Sequence, residues 1–304
     1  MRILFMGTPE IAAASLQALL SAGHEVCGVF TREDKPVGRK QVLTAPPVKA
    51  LALQAGLPVF QPRTLRTGEA EAQIRALAPE LVVVVAYGRI LPPEILSIPP
   101  KGCINLPVSL LPKYRGAAPV QWAVINGEAE TGVSIMYLDE GLDTGDILKV
   151  APVEIGPEET SGELFQRISA LGAATLVEAV AGIAAGSAVR APQDHEKATQ
   201  APPLTKELAR FEFDRPAGAL HNLIRGMNPW PAAYFEREGK KVKVLRSRVA
   251  AGSGAPGTVL AARPLVVACA EGALELTEVV PEGKKPMEGA AWAAGRRLKA
   301  GDAV

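Results

Sequence analysis

Two polar side chains, an amide and a carboxylate, follow apolar stretches of this sequence and could cooperate in acyl transfer. Asn105 comes directly after an apolar, strand-like run and precedes a proline-punctuated loop that can hold backbone donors at fixed angles. Asp143 lies in a turn bounded by Gly141 and Gly145, where a carboxylate can face a cleft without being buried alone. Because an amide can donate to a developing oxyanion and a carboxylate can accept a proton, the pair predicts acyl chemistry.

Several ordered blocks around this pair resemble the folate-dependent formyltransferases, in particular those that act on initiator methionyl-tRNA. The blocks occur in both halves of the chain. They read FMGTPE (Phe5 to Glu10), DKPVGR (Asp34 to Arg39), SLLP (Ser109 to Pro112), YRGAAP (Tyr114 to Pro119), TGVSIM (Thr131 to Met136), GLDTGD (Gly141 to Asp146) and GMNPWPAAYF (Gly226 to Phe235).

This resemblance implies the reaction and the roles of the pair. A formyl group would pass from 10-formyltetrahydrofolate to the α-amino group of methionine on initiator tRNA, with no metal. Asn105 would donate to the oxyanion and Asp143 would accept a proton. The predicted folate-binding residues are Tyr87, Gly88, Ile90, Leu91, Ser109, Leu110, Leu111 and Pro112.

The segment after Asn105 departs from the family pattern, which reads Asn, any residue, His, Pro or Gly, Ser. This sequence has Pro107 and Val108 in place of the third and fourth residues. Proline offers neither a side-chain donor nor a backbone N–H, so we expect impaired activity. The chain has three histidines, all distant from this segment in sequence: His24, His195 and His221. A natural variant with a substitute donor, an introduced change and a sequence error all stay open.

Two alternatives to this function follow from the same residues. The first is another folate-dependent formyltransferase, which would act on a nucleotide intermediate or an amino sugar. The second is a catalytically inactive relative that binds folate and tRNA, for which Pro107 is the supporting feature. Basic segments in both halves of the chain favour tRNA, because a small acceptor needs neither.

Composition predicts a folded cytoplasmic protein with two domains. The chain has 304 residues, 48% of them hydrophobic, and a formal net charge of +1, so polyanion binding requires a local basic patch. Cys27, Cys103 and Cys269 are scattered among apolar residues, which indicates reduced core cysteines and no disulfide framework. No signal peptide, membrane span or membrane partner is predicted, and we expect a monomer.

Alternating strand and helix signals predict a mostly parallel, Rossmann-like sheet in the first half. The run Leu81 to Val85 lacks alternation, as expected of a strand covered on both faces, and the Tyr87 to Leu91 loop follows it. Ligands bind outside the carboxyl ends of such strands, so Asn105 and this loop are predicted to share one sheet edge. The turn after the first strand has only Gly7, whereas a dinucleotide fingerprint needs three glycines. The acidic turn at Asp143 lacks the glutamate of an EF-hand, so no metal site is predicted.

Two basic segments are predicted to contact tRNA. The first, in the Thr31 to Pro47 loop, contains Arg39 and Lys40, and the resemblance places this loop at the acceptor end of the tRNA. The second runs from Arg225 to Arg248 with seven cationic residues against two glutamates, and its candidates are Lys240, Lys241 and Lys243. Guanidinium and ammonium groups suit phosphates, although a charged edge strand would read the same way.

The polar, proline-rich stretch after residue 189 indicates a boundary between domains. We predict a catalytic domain at residues 1–189, a linker at 190–207 and a tRNA-binding domain at 208–304. Short β-rich runs separated by Gly and Pro predict a small barrel in the last of these, and the resemblance implies an OB-like fold. A long helix is predicted from Glu158 to Ala185, with Thr160 as its cap and Glu163 as the reciprocal partner.

Overall fold

The computed structural model describes residues 1–38 and 40–304, which form two compact units that interleave along the chain. The N-terminal unit comprises Met1–Gly116, Gly132–Val153 and Gln166–Gln200. The C-terminal unit comprises Ala117–Thr131, Glu154–Phe165 and Ala201–Val304. The predicted division is contiguous, whereas the units share segments because the helix after Ala118 packs with the C-terminal unit.

The first part of the chain alternates strands and helices as its apolar runs predict. In order, the elements are β1 (Arg2–Gly7), α1 (Glu10–Ser21), β2 (Glu25–Phe30), β3 (Lys35–Val37), β4 (Val42–Thr44), α2 (Pro47–Gln54), β5 (Val59–Phe60), α3 (Gly68–Leu77), β6 (Leu81–Val85), α4 (Pro93–Leu96), β7 (Cys103–Asn105), β8 (Arg115–Gly116), α5 (Pro119–Ile125), β9 (Glu130–Tyr137), β10 (Ile147–Glu154), α6 (Ser161–Ala185), the 3₁₀ turn His195–Lys197 and β11 (Gln200–Ala201). The predicted Thr31 to Pro47 loop contains the antiparallel pair β3 and β4.

Seven of these strands form one sheet, in the order β10-β9-β7-β6-β1-β2-β5. The pairs β1–β2, β1–β6, β2–β5 and β6–β7 are parallel, and β7–β9 is antiparallel. All five residues of β6 are buried, which explains the unbroken apolar run. The predicted Rossmann-like sheet is therefore confirmed, and it brings the carboxyl ends of β6 and β7 to one edge.

Helix α6 begins with the predicted capping box. The Thr160 N–H donates to Glu163 Oε2 at 2.9 Å, and the Glu163 N–H donates to Thr160 Oγ1 at 3.2 Å. Two N–H groups that the first turn leaves without helical partners are thereby satisfied. The helix, 25 residues long, has the length and mean hydropathy of a membrane span, but core helices pass that test too. Leu164, Ile168 and other side chains of α6 are buried at helical spacing, as in a core helix.

The last part of the chain forms a second sheet, which is antiparallel. Its elements are α7 (Ala217–Gly226), β12 (Tyr234–Arg237), β13 (Lys240–Ala250), β14 (Val259–Ala262), β15 (Leu265–Ala268), β16 (Ala273–Pro281), β17 (Met287–Glu288) and α8 (Gly289–Gly295). The order is β12-β13-β16-β15-β14, with β17 on β16. Edge-to-face contacts join Phe211, Phe213, Phe235 and Trp292 in its core. A curled antiparallel half-barrel thus occupies the predicted OB-like domain.

Candidate active site

Asn105 is the last residue of β7 and lies between two neighbouring strands. Its Cα pairs with that of Val84 on β6 and with that of Met136 on β9, and the residue is half-buried. The apolar residues Cys103 and Ile104 fix the strand by burial, which leaves Asn105 at its carboxyl end. This is the edge of a parallel sheet at which ligands bind.

Asp143 is half-buried in the turn between β9 and β10. Its backbone is left-handed, with φ of 54°, and the Gly116 N–H donates to its Oδ2 at 3.1 Å. Burial raises the pKa of this carboxyl, while the Gly116 N–H and the charge of Arg115 oppose the rise. The aspartate is thus an anchored carboxylate whose proton affinity exceeds that of an exposed aspartate.

A buried arginine and a buried glutamine hold the Asp143 turn, and the sequence analysis missed both. Gln193 Nε2 donates to the carbonyl oxygens of Asp143 at 3.0 Å and Gly145 at 2.7 Å. Arg115 Nη2 donates to Gln193 Oε1 at 2.6 Å, and only 6% of Arg115 and 7% of Gln193 is exposed. Gln193 Nε2 also contacts Met136 Sδ at 4.0 Å, next to the strand position of Asn105. The network connects the two predicted catalytic residues.

One histidine lies beside this network despite its distance in sequence. His195 Nδ1 is 3.1 Å from Arg115 Nη2, and the histidine is exposed. Because a guanidinium only donates, Nδ1 is the acceptor in this contact. Gln193 and His195 both fall in the predicted linker, where no periodic pattern indicates a buried contact.

Pro107 is buried and bonds only through its backbone carbonyl. That oxygen accepts from the Ser134 N–H at 3.0 Å, which ties the segment to β9. Leu106, the residue before it, would lie 3.1 Å from a Cβ added at Gly172, so the segment also packs against α6. The site therefore has a fixed backbone at residue 107 without the side-chain donor of the family pattern.

The Ser109 to Pro112 run is held by one hydroxyl of β9. Ser134 Oγ donates to the Ser109 carbonyl at 2.8 Å and accepts from the Leu111 N–H at 3.1 Å. Ser109 and Leu111 are buried, whereas Leu110 and Pro112 are half-buried. Within the described residues, the buried Ser109 Oγ has no hydrogen-bond partner. The loop presents a rigid backbone beside the end of β7.

The Tyr87 to Leu91 loop divides between core and surface. Tyr87 is 1% exposed and packs in the core with Leu4 and Met6, so it differs from the predicted cleft wall. Gly88, with φ of 74°, turns the chain, and its carbonyl accepts from Arg32 Nη1 at 2.9 Å. Ile90 is 77% exposed. Only the end of the loop offers apolar side-chain surface.

A cavity of about 570 Å³ in the N-terminal unit begins at this loop. Its lining consists of Leu65, Arg66, Thr67, Gly68, Glu71, Ile90, Leu91, Pro92, Pro93, Glu94, Ile95 and Glu140. It takes in two predicted folate residues, Ile90 and Leu91. Over residues 1–38 and 40–304, the lining does not reach the Ser109 to Pro112 run, Asn105 or Asp143. The predicted single cleft is thus represented by an apolar cavity and a separate polar network.

The predicted tRNA-binding residues lie on exposed surfaces of both units. Arg39 falls outside the described residues, and Lys40 is exposed between β3 and β4. Lys240, Lys241 and Lys243, which we call the β13 lysines, are exposed at the start of β13. Lys241 Nζ lies 4.4 Å from the Tyr234 ring centroid, a cation–π distance. Among the described residues, three or more His, Cys, Asp or Glu do not gather as in a metal site.

Comparisons with known proteins cover both units. A family model described as formyl transferase matches residues 1–180, and one described as formyl transferase, C-terminal domain, matches residues 203–297. The chain is 47% identical to methionyl-tRNA formyltransferase of Myxococcus xanthus over 302 residues, which cover 99% of this chain and 96% of that one. It is 49% identical to methionyl-tRNA formyltransferase of Pseudomonas entomophila over 287 residues, 93% of each chain.

Solved structures share the fold at lower identity. The Helicobacter canadensis N-formyltransferase, in complex with folinic acid and dTDP-3-aminofucose, is 17% identical, with a TM-score of 0.69 over 90% of this chain and 97% of that one. HypX from Aquifex aeolicus, in complex with tetrahydrofolic acid, is also 17% identical, with a TM-score of 0.67. This chain spans about half of the HypX chain, 49%. With both family models matched over most of its length, the chain belongs to the formyl transferase family.

Proposed function

We propose that this protein transfers a formyl group from 10-formyltetrahydrofolate to the α-amino group of methionine on initiator tRNA. The observation that carries this proposal is the near-full-length identity of 47% to a methionyl-tRNA formyltransferase, which spans both units. The proposed compartment is the cytoplasm, and the proposed active form is a monomer that needs no membrane.

The donor site is proposed at the edge of the parallel sheet. Ile90 and Leu91 line an apolar cavity of about 570 Å³, a size typical of sites for flat heterocycles. Carbonyl and N–H groups of the Ser109 to Pro112 run, held by Ser134, would orient the polar edge of the donor. The donor supplies the reactive formyl carbon when bound, and the chain supplies orientation.

Asn105 and Asp143 are the proposed catalytic residues. As the amine attacks the formyl carbon, negative charge develops on oxygen, and the Asn105 amide donates to it. The ammonium proton of the attacking amine goes to Asp143, whose burial raises its pKa and makes it a better acceptor. Gln193 and Arg115 keep the carboxylate in place through the carbonyls of its own turn.

Pro107 limits the rate in this proposal. A positioned oxyanion donor is worth about 10²- to 10³-fold in kcat, so a site that relies on Asn105 alone is slow. Contacts to tRNA are proposed for Arg39, Lys40 and the β13 lysines. The lysines lie on a strand face whose alternate residues, Val242 and Val244, are buried, which leaves the ammonium groups free to meet phosphates.

The test offers the unchanged protein two acceptors with 10-formyltetrahydrofolate. Initiator methionyl-tRNA should gain a formyl group, whereas a dTDP-linked 3-amino sugar should not. The second acceptor is chosen because the Helicobacter canadensis relative was solved with such a compound. Formylation of the amino sugar alone would assign the chain to another reaction. Binding of both folate and tRNA with no product would favour the inactive relative.

A further inference from the structure

A small basic cavity in the C-terminal unit contains two buried donors that have no acceptor. It has a volume of about 120 Å³ and lies between the β12–β13 turn, the segment after β16 and the end of α8. Five cationic side chains and two glutamates line it, for a local net charge of +3. The cations are Arg237, Lys240, Lys241, Lys284 and Arg296.

The unsatisfied donors are Trp292 Nε1 and Arg237 Nη1. Both atoms are shielded from solvent, and neither has a hydrogen-bond partner among the described residues. Trp292 is 4% exposed and its ring packs on Phe235 at 5.9 Å between centroids, so the indole is held rigidly in the cavity wall. Buried donors are almost always paired in folded proteins, and an unpaired one calls for an acceptor.

The carboxylates nearby leave these donors unsatisfied. Glu238 lies 3.5 Å from Arg237 Nη2 and 3.8 Å from Arg296 Nη1, longer than a good charged hydrogen bond. Glu282 accepts from the Lys241 N–H at 3.4 Å. Two indole and guanidinium donors at fixed positions, with ammonium groups around them, fit a tetrahedral oxyanion of about the size of this cavity.

We propose that this cavity binds a phosphate group, with Trp292 and Arg237 as buried donors and Lys284 and Arg296 as charged walls. The phosphate could belong to an RNA backbone or to a free phosphorylated molecule. The RNA source rests on the proposed function, because the β13 lysines Lys240 and Lys241 also line the cavity.

The first experiment titrates the ¹⁵N-labelled full-length protein with inorganic phosphate at constant ionic strength, with chloride as the balancing anion. The chain has three tryptophans, so three indole N–H signals are expected. Trp122→Phe and Trp230→Phe assign the third signal to Trp292. That signal alone should shift and saturate. No shift, or an equal shift of all three, would overturn the site.

A pair of charge-matched double variants tests the walls. Lys284→Gln with Arg296→Gln removes two lining cations, and Lys285→Gln with Arg297→Gln removes their sequence neighbours, which do not line the cavity. The first should weaken phosphate binding at least about tenfold, since a hydrogen bond to a charged group is worth that or more. The second should change it less than about twofold. Equal weakening in both would refute the assignment.

Binding of initiator tRNA to the same two double variants, measured at several salt concentrations, identifies the source of the phosphate. If it is RNA, the salt slope should fall by about one per lost phosphate contact in the first variant only. Equal slopes, with phosphate binding intact in the unchanged protein, would assign the cavity to a free phosphorylated molecule. Failure of the proposed function would appear separately, as absent methionyl-tRNA formylation.

Discussion

Gln193 is the residue through which a segment remote in sequence holds the Asp143 turn, and its removal should destabilise the N-terminal unit. Gln193→Ala deletes two bonds donated to buried carbonyls, at 3.0 and 2.7 Å, and one accepted from Arg115 at 2.6 Å. A neutral bond is worth about 1 kcal/mol and a charged one about 1.5–3 kcal/mol. Because Arg115 Nη2 keeps His195 Nδ1 as a partner, the expected loss is about 2–4 kcal/mol rather than the full sum.

Two measurements check this loss. Urea unfolding followed by far-UV circular dichroism gives the global change, because the tryptophans at 122, 230 and 292 all lie in the C-terminal unit. Amide exchange of Gly116, whose N–H donates to Asp143 Oδ2, gives the local change, and its protection should fall about 30-fold or more. Gln200→Ala is the matched control, since Gln200 is exposed in the same segment.

Gln193→Glu sharpens the test. The carboxylate keeps an acceptor for Arg115 but turns an oxygen toward two carbonyls that now receive a donor. The variant should therefore be no more stable than Gln193→Ala, despite the new ion pair. If both variants unfold within about 0.5 kcal/mol of the Gln200→Ala control, the network does not hold the turn.

Three further predictions concern catalysis, acid stability and tRNA. Pro107→His with Val108→Pro should raise formylation of methionyl-tRNA at least about 10²-fold, the scale of one positioned catalytic group, since the Ser134 bond uses only the backbone carbonyl. An ordinary turnover of about 1–10³ s⁻¹ in the unchanged protein would show that residue 107 needs no imidazole. The Thr160 N–H and Arg246 lower the pKa of Glu163 from 4.5 to about 2, so its contribution to stability is complete above pH 4.5 and is lost as the pH falls toward about 2. The urea midpoints of the unchanged protein and Glu163→Gln should accordingly converge through that window, and a constant gap would contradict the assignment. Alanine at all three β13 lysines should weaken tRNA binding and flatten its salt dependence, whereas an unchanged slope would exclude them from the contact.

The sequence alone predicted those parts of the fold that depend on neighbours along the chain. The Leu81 to Val85 run predicted a covered parallel strand, and all five residues are buried. Thr160 and Glu163 predicted a capping box because its bonds span only three residues. The acidic turn with its flanking apolar runs predicted the β9 and β10 pair around Asp143.

Tertiary structure decided the contacts between residues far apart in sequence. Arg115 bonds to Gln193 and His195, which follow it by 78 and 80 residues. Both partners come from a polar, aperiodic stretch, and such a stretch reads as a linker whether or not the fold buries a side chain from it. The core position of Tyr87 and the separation of the apolar cavity from the polar network were hidden for a related reason. Strand and helix periodicity reports which face a residue shares with its neighbours, whereas burial at a loop depends on which distant side chains pack against it.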